Sequence, residues 1–145
     1  MKYLFSVLFM FMSVVGSTQS TWERFAKGEG VEFYYSPSRT TRDGSVITVW
    51  MKTIETGKKL IERRAKLKKQ NPKKSLLYAR YGYEVEKREL DCTSKRFRFV
   101  SNIRYTTDGK VIESVEFDEE TSGWIEAVPE SYGEGVLNAL CDVVE

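Results

Sequence analysis

The chain contains no histidine, and this absence removes several classes of catalytic chemistry. Without an imidazole, neither a Cys–His nucleophile pair nor a zinc site built on histidine forms within one subunit. The sequence also lacks a phosphate-binding loop, a dinucleotide-binding fingerprint and a G-x-S-x-G nucleophile motif. Glu84 and Glu86 fall on the solvent side of a predicted strand, which indicates solvated charges rather than an acid–base pair. We therefore expect no enzyme, no bound cofactor and no metal site.

Cysteine is scarce, with Cys92 in a polar and aromatic strand pattern and Cys141 in a helical pattern near the C-terminus. Cys141 lies on the apolar side of its helix, where a buried free thiol would also fit, so its position alone decides nothing. The cellular compartment decides between a free thiol and a disulfide, because two cysteines in an exported domain usually pair and only one pairing exists. If the protein is exported, we predict a Cys92–Cys141 disulfide.

Long apolar runs are absent except at the N-terminus, over residues 3–15. This run is too short to span the roughly 30 Å core of a bilayer, and it fits the apolar region of a secretory signal. Small residues offer cleavage after Ser17 or Ser20. We predict a signal peptide over residues 1–20 and a single domain over residues 21–145. The alternative is a buried N-terminal helix or a membrane anchor.

The same features predict the compartment of the mature protein. No cysteine adjoins the candidate cleavage sites, and no second run is long enough for a transmembrane segment. We therefore expect a periplasmic, secreted or cell-surface protein without a lipid anchor. The formal net charge of +2 is too close to zero to predict a nucleic-acid partner. Arginine and phenylalanine alternate over residues 96–99, a mixture that suits RNA stacking, but export argues against that partner.

Alternating apolar residues predict several strands joined by tight turns. Residues 22–26 and 31–35 form a predicted hairpin around two glycines. Residues 45–54 are rich in β-branched side chains and predict a central strand covered on both faces. Asp108-Gly109 gives the clearest hairpin turn of the chain. With 41% hydrophobic residues, the composition is that of one globular domain.

Two further strands raise a question of which side chains share a face. A long strand is predicted from Leu76, with Tyr81 and Tyr83 on one face. In the strand that follows, counting by twos places Cys92 with Arg96. The opposite face then carries Phe97, Phe99, Ile103 and Tyr105. A helix that covers this aromatic face requires a bulge or a break after Cys92; otherwise the helix packs at the strand end.

The C-terminal helix is the best-specified element. Ser131 and Glu134 form an S-x-x-E capping box, and Pro129 ends any earlier helix. An apolar stripe follows at helical spacing. Its members are Val136, Leu137, Leu140, Cys141 and Val144.

A second helix is predicted over residues 56–70, ending at Asn71-Pro72. Its basic residues form a loose face that consists of Lys58, Lys59, Arg63, Lys66 and Lys69. The plainer interpretation is a solvated connector between two strands. The sharper one is a surface that faces an anionic partner.

These landmarks, taken in order, resemble the surface-adhesin protein E family of Gram-negative exported proteins. The matching pieces are Trp22, Asp43-Gly44, Trp50, Asp91-Cys92, Tyr105, Asp108-Gly109, Trp124-Ile125, Val128-Pro129-Glu130-Ser131 and Cys141. The resemblance implies an α+β fold, in which a C-terminal helix packs on a curved antiparallel sheet of about six strands and is tied across it by the disulfide. It also implies surface display and binding of host extracellular-matrix or plasma proteins, although this chain lacks the family adhesin's lipidated cysteine.

Two functions of different class follow. The first is an exported, non-enzymatic, adhesin-like binding module of the envelope or surface, with a protein or an anionic macromolecule as its partner. The alternative is a periplasmic small-ligand-binding protein or hydrolase with a pocket under the helix. A pocket with converging polar groups is needed only by the second. The binding face of the sheet and the formation of a homodimer stay open.

Overall fold

A computed structural model describes residues 21–144, in which eight strands form one antiparallel sheet. Six strands follow one another in the order β1-β2-β4-β5-β6-β7, while β3 pairs with the start of β4 and β8 with the start of β6. The strands are β1 Glu23–Gly28, β2 Val31–Tyr35, β3 Thr41–Asp43, β4 Val46–Glu55, β5 Tyr81–Asp91, β6 Arg96–Thr106, β7 Val111–Glu116 and β8 Ile125–Glu126. The predicted antiparallel sheet is confirmed. The predicted signal peptide lies outside the described residues.

Three helices accompany the sheet: α1 Gly57–Gln70, α2 Ser75–Tyr78 and α3 Tyr132–Val143. Helix α1 confirms the predicted basic helix, and Asn71 ends it as expected. The strand predicted from Leu76 is wrong at its start, because a helical turn occupies Ser75–Tyr78 and β5 begins only at Tyr81.

Both long helices pack on one face of the sheet, which we call the helix face. On β4 this face carries Ile47, Val49 and Met51, all at most 1% exposed. The other face, which carries Trp50 and Lys52 of β4, we call the open face, because neither α1 nor α3 packs on it. The expectation that β4 is internal is confirmed, but coverage on both faces is wrong, since Trp50 stays partly exposed.

A β-bulge at Gly82 divides the tyrosines of β5 between the two faces. Tyr81 pairs with Thr106, and Tyr83 pairs with Tyr105, so one residue of β5 is extra. An extra residue reverses the alternation. Tyr81 is therefore fully buried on the helix face, and the prediction that it shares a face with Tyr83 is wrong.

A second bulge, at Val100 of β6, turns the later part of that strand over. Phe97 packs under α3 on the helix face. Beyond the bulge, Ile103 and Tyr105 lie on the open face beside Lys52. The prediction that these side chains share one face with Phe97 is therefore wrong, for the same reason as in β5.

The disulfide joins the turn after β5 to helix α3. Cys92 opens a four-residue turn, so of the arrangements that the sequence left open the structure has the break between Cys92 and Arg96. The Cα atoms of Cys92 and Cys141 are 5.8 Å apart across the bridge. Helix α3 begins as predicted, with the Ser131 hydroxyl accepting from the Glu134 N–H at 3.2 Å. The Glu134 carboxylate accepts from the backbone N–H of Glu130.

Candidate functional site

A charged seam lies between helix α1 and the sheet. At its centre is Glu84 of β5, which is buried and lies between two arginines, so the prediction that Glu84 and Glu86 lie on a solvent face is wrong. Its carboxylate accepts from Arg63 of α1 at 2.6 Å, and its second oxygen lies 3.5 Å from Nε of Arg104 of β6. Arg104 also pairs with Glu113 of β7, and Arg63 lies 3.7 Å from Glu55. Because acid and base alternate along the seam, its charges largely neutralise one another.

A groove of about 230 Å³ separates the starts of α1 and α3 on the helix face. Its main charged group, Arg88, donates through two nitrogens to the Glu86 carboxylate, at 2.5 and 3.0 Å. Asn102 donates to the other Glu86 oxygen at 3.1 Å. The centre of the Tyr132 ring lies 5.9 Å from the same guanidinium, and about half of this residue stays exposed at the groove. Within residues 21–144, Arg88 and Glu86 of this groove therefore satisfy each other, whereas Lys59 at its edge has no ion pair.

The predicted basic residues of α1 divide into two environments. Arg63 turns towards the sheet and belongs to the seam. Lys58 is exposed and lies 3.8 Å from Glu62, an exposed pair that contributes little. The side chains that remain available along the exposed side of α1 are Lys58, Lys59, Lys66 and Lys69.

All three tryptophans of the chain lie on the open face. Trp50 projects from β4. Trp22 precedes β1, and the centre of its ring lies 4.8 Å from the ammonium of Lys52 of β4. Trp124 precedes β8, and because Ile125 pairs with Phe97, it stands beside the open-face side of β6.

Each tryptophan has a cation beside its ring. Besides the Lys52 contact, the Lys87 ammonium lies 6.0 Å from the centre of the Trp50 ring. Arg96 and Arg98 lie 4.9 and 5.1 Å from the centre of the Trp124 ring. Such contacts contribute about 0.5–1 kcal/mol each at exposed sites. The open face therefore repeats one local arrangement three times.

Tyrosines extend the aromatic surface around Lys52. Tyr83 and Tyr105 stack with their ring centres 4.8 Å apart, and Tyr34 lies 5.2 Å from the Lys52 ammonium. A pocket of about 260 Å³ is lined by Tyr83, Tyr105 and Lys52 together with Trp22 and Trp50. Burial lowers the pKa of Lys52, because its ammonium has lost part of its water.

Cations without an ion pair lie around the aromatic side chains at the centre of the open face. Lys52, Lys87 and Arg39 form no ion pair among residues 21–144. Glu116 of β7 lies at the rim. Asp43 of β3 and Glu126 of β8 lie at its edges, in register with Val46 and Arg96. Three more acidic groups of this face are held by arginines, in the pairs Glu32–Arg24 at 3.2 Å, Glu89–Arg98 at 2.5 Å and Asp91–Arg96 at 3.1 Å.

The surface-adhesin protein E family model matches residues 22–142 of the chain. The chain belongs to the surface-adhesin protein E family. Membership in this family supports an exported surface protein with an adhesin-like, non-enzymatic role. No curated protein and no solved structure matches the chain.

Two properties of the described residues bear on membrane spanning and on metal binding. Among the helices of residues 21–144, none contains an apolar stretch of 18 residues that would cross a bilayer. In the same part of the chain, no cluster of three cysteine, aspartate or glutamate side chains is arranged to hold a metal.

Sequence reasoning did not find the tryptophan surface. Alternation along β4 places Trp50 opposite Ile47 and Val49, and this was the available signal. The sequence around Trp124 does not indicate its face, because β8 has only two residues and forms only by pairing with β6. The bulge at Val100 further hid which side chains of β6 reach this face.

Proposed function

We propose that this member of the surface-adhesin protein E family is an exported, non-enzymatic binding module of the envelope or cell surface. It binds host matrix proteins or other macromolecules through the open face of its sheet. The observation that carries the proposal is the set of three tryptophan–cation pairs on the face that both helices leave uncovered. Trp, Tyr and Arg dominate binding hot spots, and strands hold them rigidly.

Retention on an immobilised extracellular-matrix extract tests this function. Trp50→Ala combined with Trp124→Ala should lower retention about tenfold, because it removes two aromatic anchors. The matched control combines Ile61→Ala with Leu76→Ala, which removes two exposed apolar side chains from the helices. Equal losses in the two variants would contradict the assignment of the open face.

Export is part of the same proposal. The Cys92–Cys141 disulfide supports it, because disulfides persist in oxidising compartments. With residues 1–20 as signal peptide, the mature protein should begin at Thr18 or Thr21 and carry no lipid. N-terminal sequencing and intact mass of the exported protein measure both, and a mature chain that begins at Met1 would contradict export.

The basic residues of α1 are proposed as a secondary contact for anionic partners. Replacing Lys58, Lys59, Arg63, Lys66 and Lys69 by Ser should reduce retention on an anionic lipid surface at low salt. Because Arg63 belongs to the buried seam, a second variant that replaces only the four lysines keeps the fold intact. Unchanged retention of the four-lysine variant would make α1 a connector only.

The alternative function, a periplasmic small-ligand-binding protein or hydrolase, would use the groove between α1 and α3. Arg88→Met removes the buried cation of that groove, which lies on the face of the sheet opposite the tryptophans. If macromolecule binding persists in this variant, the groove is not the site of that binding. The open-face proposal predicts this persistence.

A further inference from the structure

We propose that the open face binds a linear anionic polysaccharide, with sugar rings stacked on the tryptophans and carboxylate or sulfate groups on the neighbouring cations. This inference rests on the proposed function and names the ligand class of the same surface. A polysaccharide repeats a flat, C–H-rich ring and an anionic substituent. The open face repeats a partly exposed aromatic ring and a cation, at 4.8 to 6.0 Å.

The spacing of the tryptophan and cation positions suits a polysaccharide that lies across the sheet. Trp50 and Lys52 are two residues apart on β4, so their Cα atoms are separated by about 6.8 Å. Arg98 of β6 lies beside Trp124. It is two strands away from β4 and level with Thr48, which is two residues from Trp50. The Cα atoms of Trp50 and Arg98 are therefore separated by about 12 Å. Successive sugar rings of one extended polysaccharide span this distance, so a single chain contacts Trp50 and Arg98 together. A single sugar ring is too small to do so.

The charge at the centre of the face, around the aromatic side chains, favours an anion. Three of its acidic groups are already paired with arginines, whereas Lys52, Lys87 and Arg39 have no carboxylate partner among residues 21–144. A polyanion supplies the missing counter-charges at several points together. Arginine and lysine also bind carboxylate and sulfate oxygens through charge-assisted hydrogen bonds.

A protein partner fits this face less well. The cores of protein interfaces are depleted in lysine, yet Lys52 and Lys87 lie in the middle of the aromatic surface. The large apolar side chains most exposed in the described residues lie elsewhere, such as Ile61 at 67% on α1 and Leu76 at 87% on α2. On the open face the aliphatic side chain of Val85 is buried at 7% exposure, so the surface presents mainly rings and charges.

The direct test titrates the protein with a size-defined heparin hexasaccharide, with maltohexaose as the neutral control. Because all three tryptophans lie on the open face, their fluorescence reports that face directly. We expect a saturable fluorescence change with the heparin oligosaccharide and none with maltohexaose. No binding of the heparin oligosaccharide, or binding that leaves the fluorescence unchanged, would overturn the proposal.

Matched charge variants locate the site. Lys52→Met with Lys87→Met should raise the Kd for the heparin hexasaccharide about tenfold, while Lys66→Met with Lys69→Met should change it less than about twofold. Both variants remove two positive charges, so a nonspecific charge effect would weaken both equally. Equal losses, or a larger loss for the α1 variant, would overturn the proposal.

A third measurement separates this inference from the proposed function. The wild-type protein is passed over immobilised matrix extract before and after digestion with glycosaminoglycan lyases. We expect retention before digestion and loss of retention after it. Retention that survives digestion would overturn the ligand class and leave macromolecule binding in place. Absence of retention on the undigested extract would overturn the proposed function itself.

Discussion

Removal of the disulfide should lower the free energy of unfolding by about 4 kcal/mol. The perturbation is Cys92→Ala combined with Cys141→Ala, which leaves no lone thiol. The two cysteines are 49 residues apart. In the chain-entropy model, a closed loop of this length restricts the unfolded chain by about 14 cal/mol/K, which is about 4 kcal/mol at 25 °C.

The folded state should change little, because α3 has its own apolar contacts. Val136, Leu137 and Leu140 are at most 3% exposed, and α3 packs on Ile47 and Val49 of the helix face. The loss therefore arises mainly in the unfolded state. The far-UV circular dichroism of the folded variant should match that of the wild type, and its m-value in urea should be larger.

Urea unfolding of three samples checks this reasoning: oxidised wild type, reduced wild type and the double variant. Reduced wild type and the double variant should agree, since both lack the bridge and differ only by two sulfurs. A loss below about 1 kcal/mol would show that core packing alone docks α3 and would refute the entropic account.

Three further perturbations have expected outcomes in urea unfolding. Glu84→Gln removes the negative charge that faces the half-buried Arg63 and Arg104, and it should lower the free energy of unfolding by about 2–3 kcal/mol, less than the loss of a fully buried pair. A decrease below about 0.5 kcal/mol would mean that water replaces the carboxylate. In α3, Gly133→Ala places a Cβ 2.8 Å from the Phe97 ring and should destabilise, whereas Gly135→Ala meets nothing within 4 Å and should stabilise by about 0.5–1 kcal/mol. The backbone N–H of the turn after Asp91, together with a neighbouring arginine, lowers the pKa of Asp91 from 3.8 to about 2. Its contribution to stability is therefore complete above about pH 4 and is lost as the pH falls towards about 2, and Asp91→Asn should flatten the stability profile in that window.

Elements that depend on local patterns were predictable from the sequence. The capping box at Ser131 fixed the start of α3, and the Asp108-Gly109 turn correctly placed the hairpin between β6 and β7. The Cys92–Cys141 pairing followed from compartment and from the absence of any other cysteine.

Elements that depend on distant contacts were not predictable in the same way. A bulge adds one residue and reverses the alternation, and at Val100 no residue type marks it. Gly82 was a usable signal, because a Cβ there would lie 2.8 Å from the Thr107 backbone. The inward turn of Arg63 likewise depends on Glu84, a residue of another element. The open face could not be assembled from the sequence, because it combines β4, β6 and the two-residue strand β8.

The three indole N–H signals in a ¹H–¹⁵N spectrum test the central claim most directly, because the chain has three tryptophans and all lie on the open face. On titration with the heparin hexasaccharide, the account predicts that all three indole signals shift together. The backbone signals of Lys66 and Lys69 on α1 should stay nearly fixed. Fixed indole signals, whether or not the α1 signals shift, would contradict the claim that the open face is the binding surface.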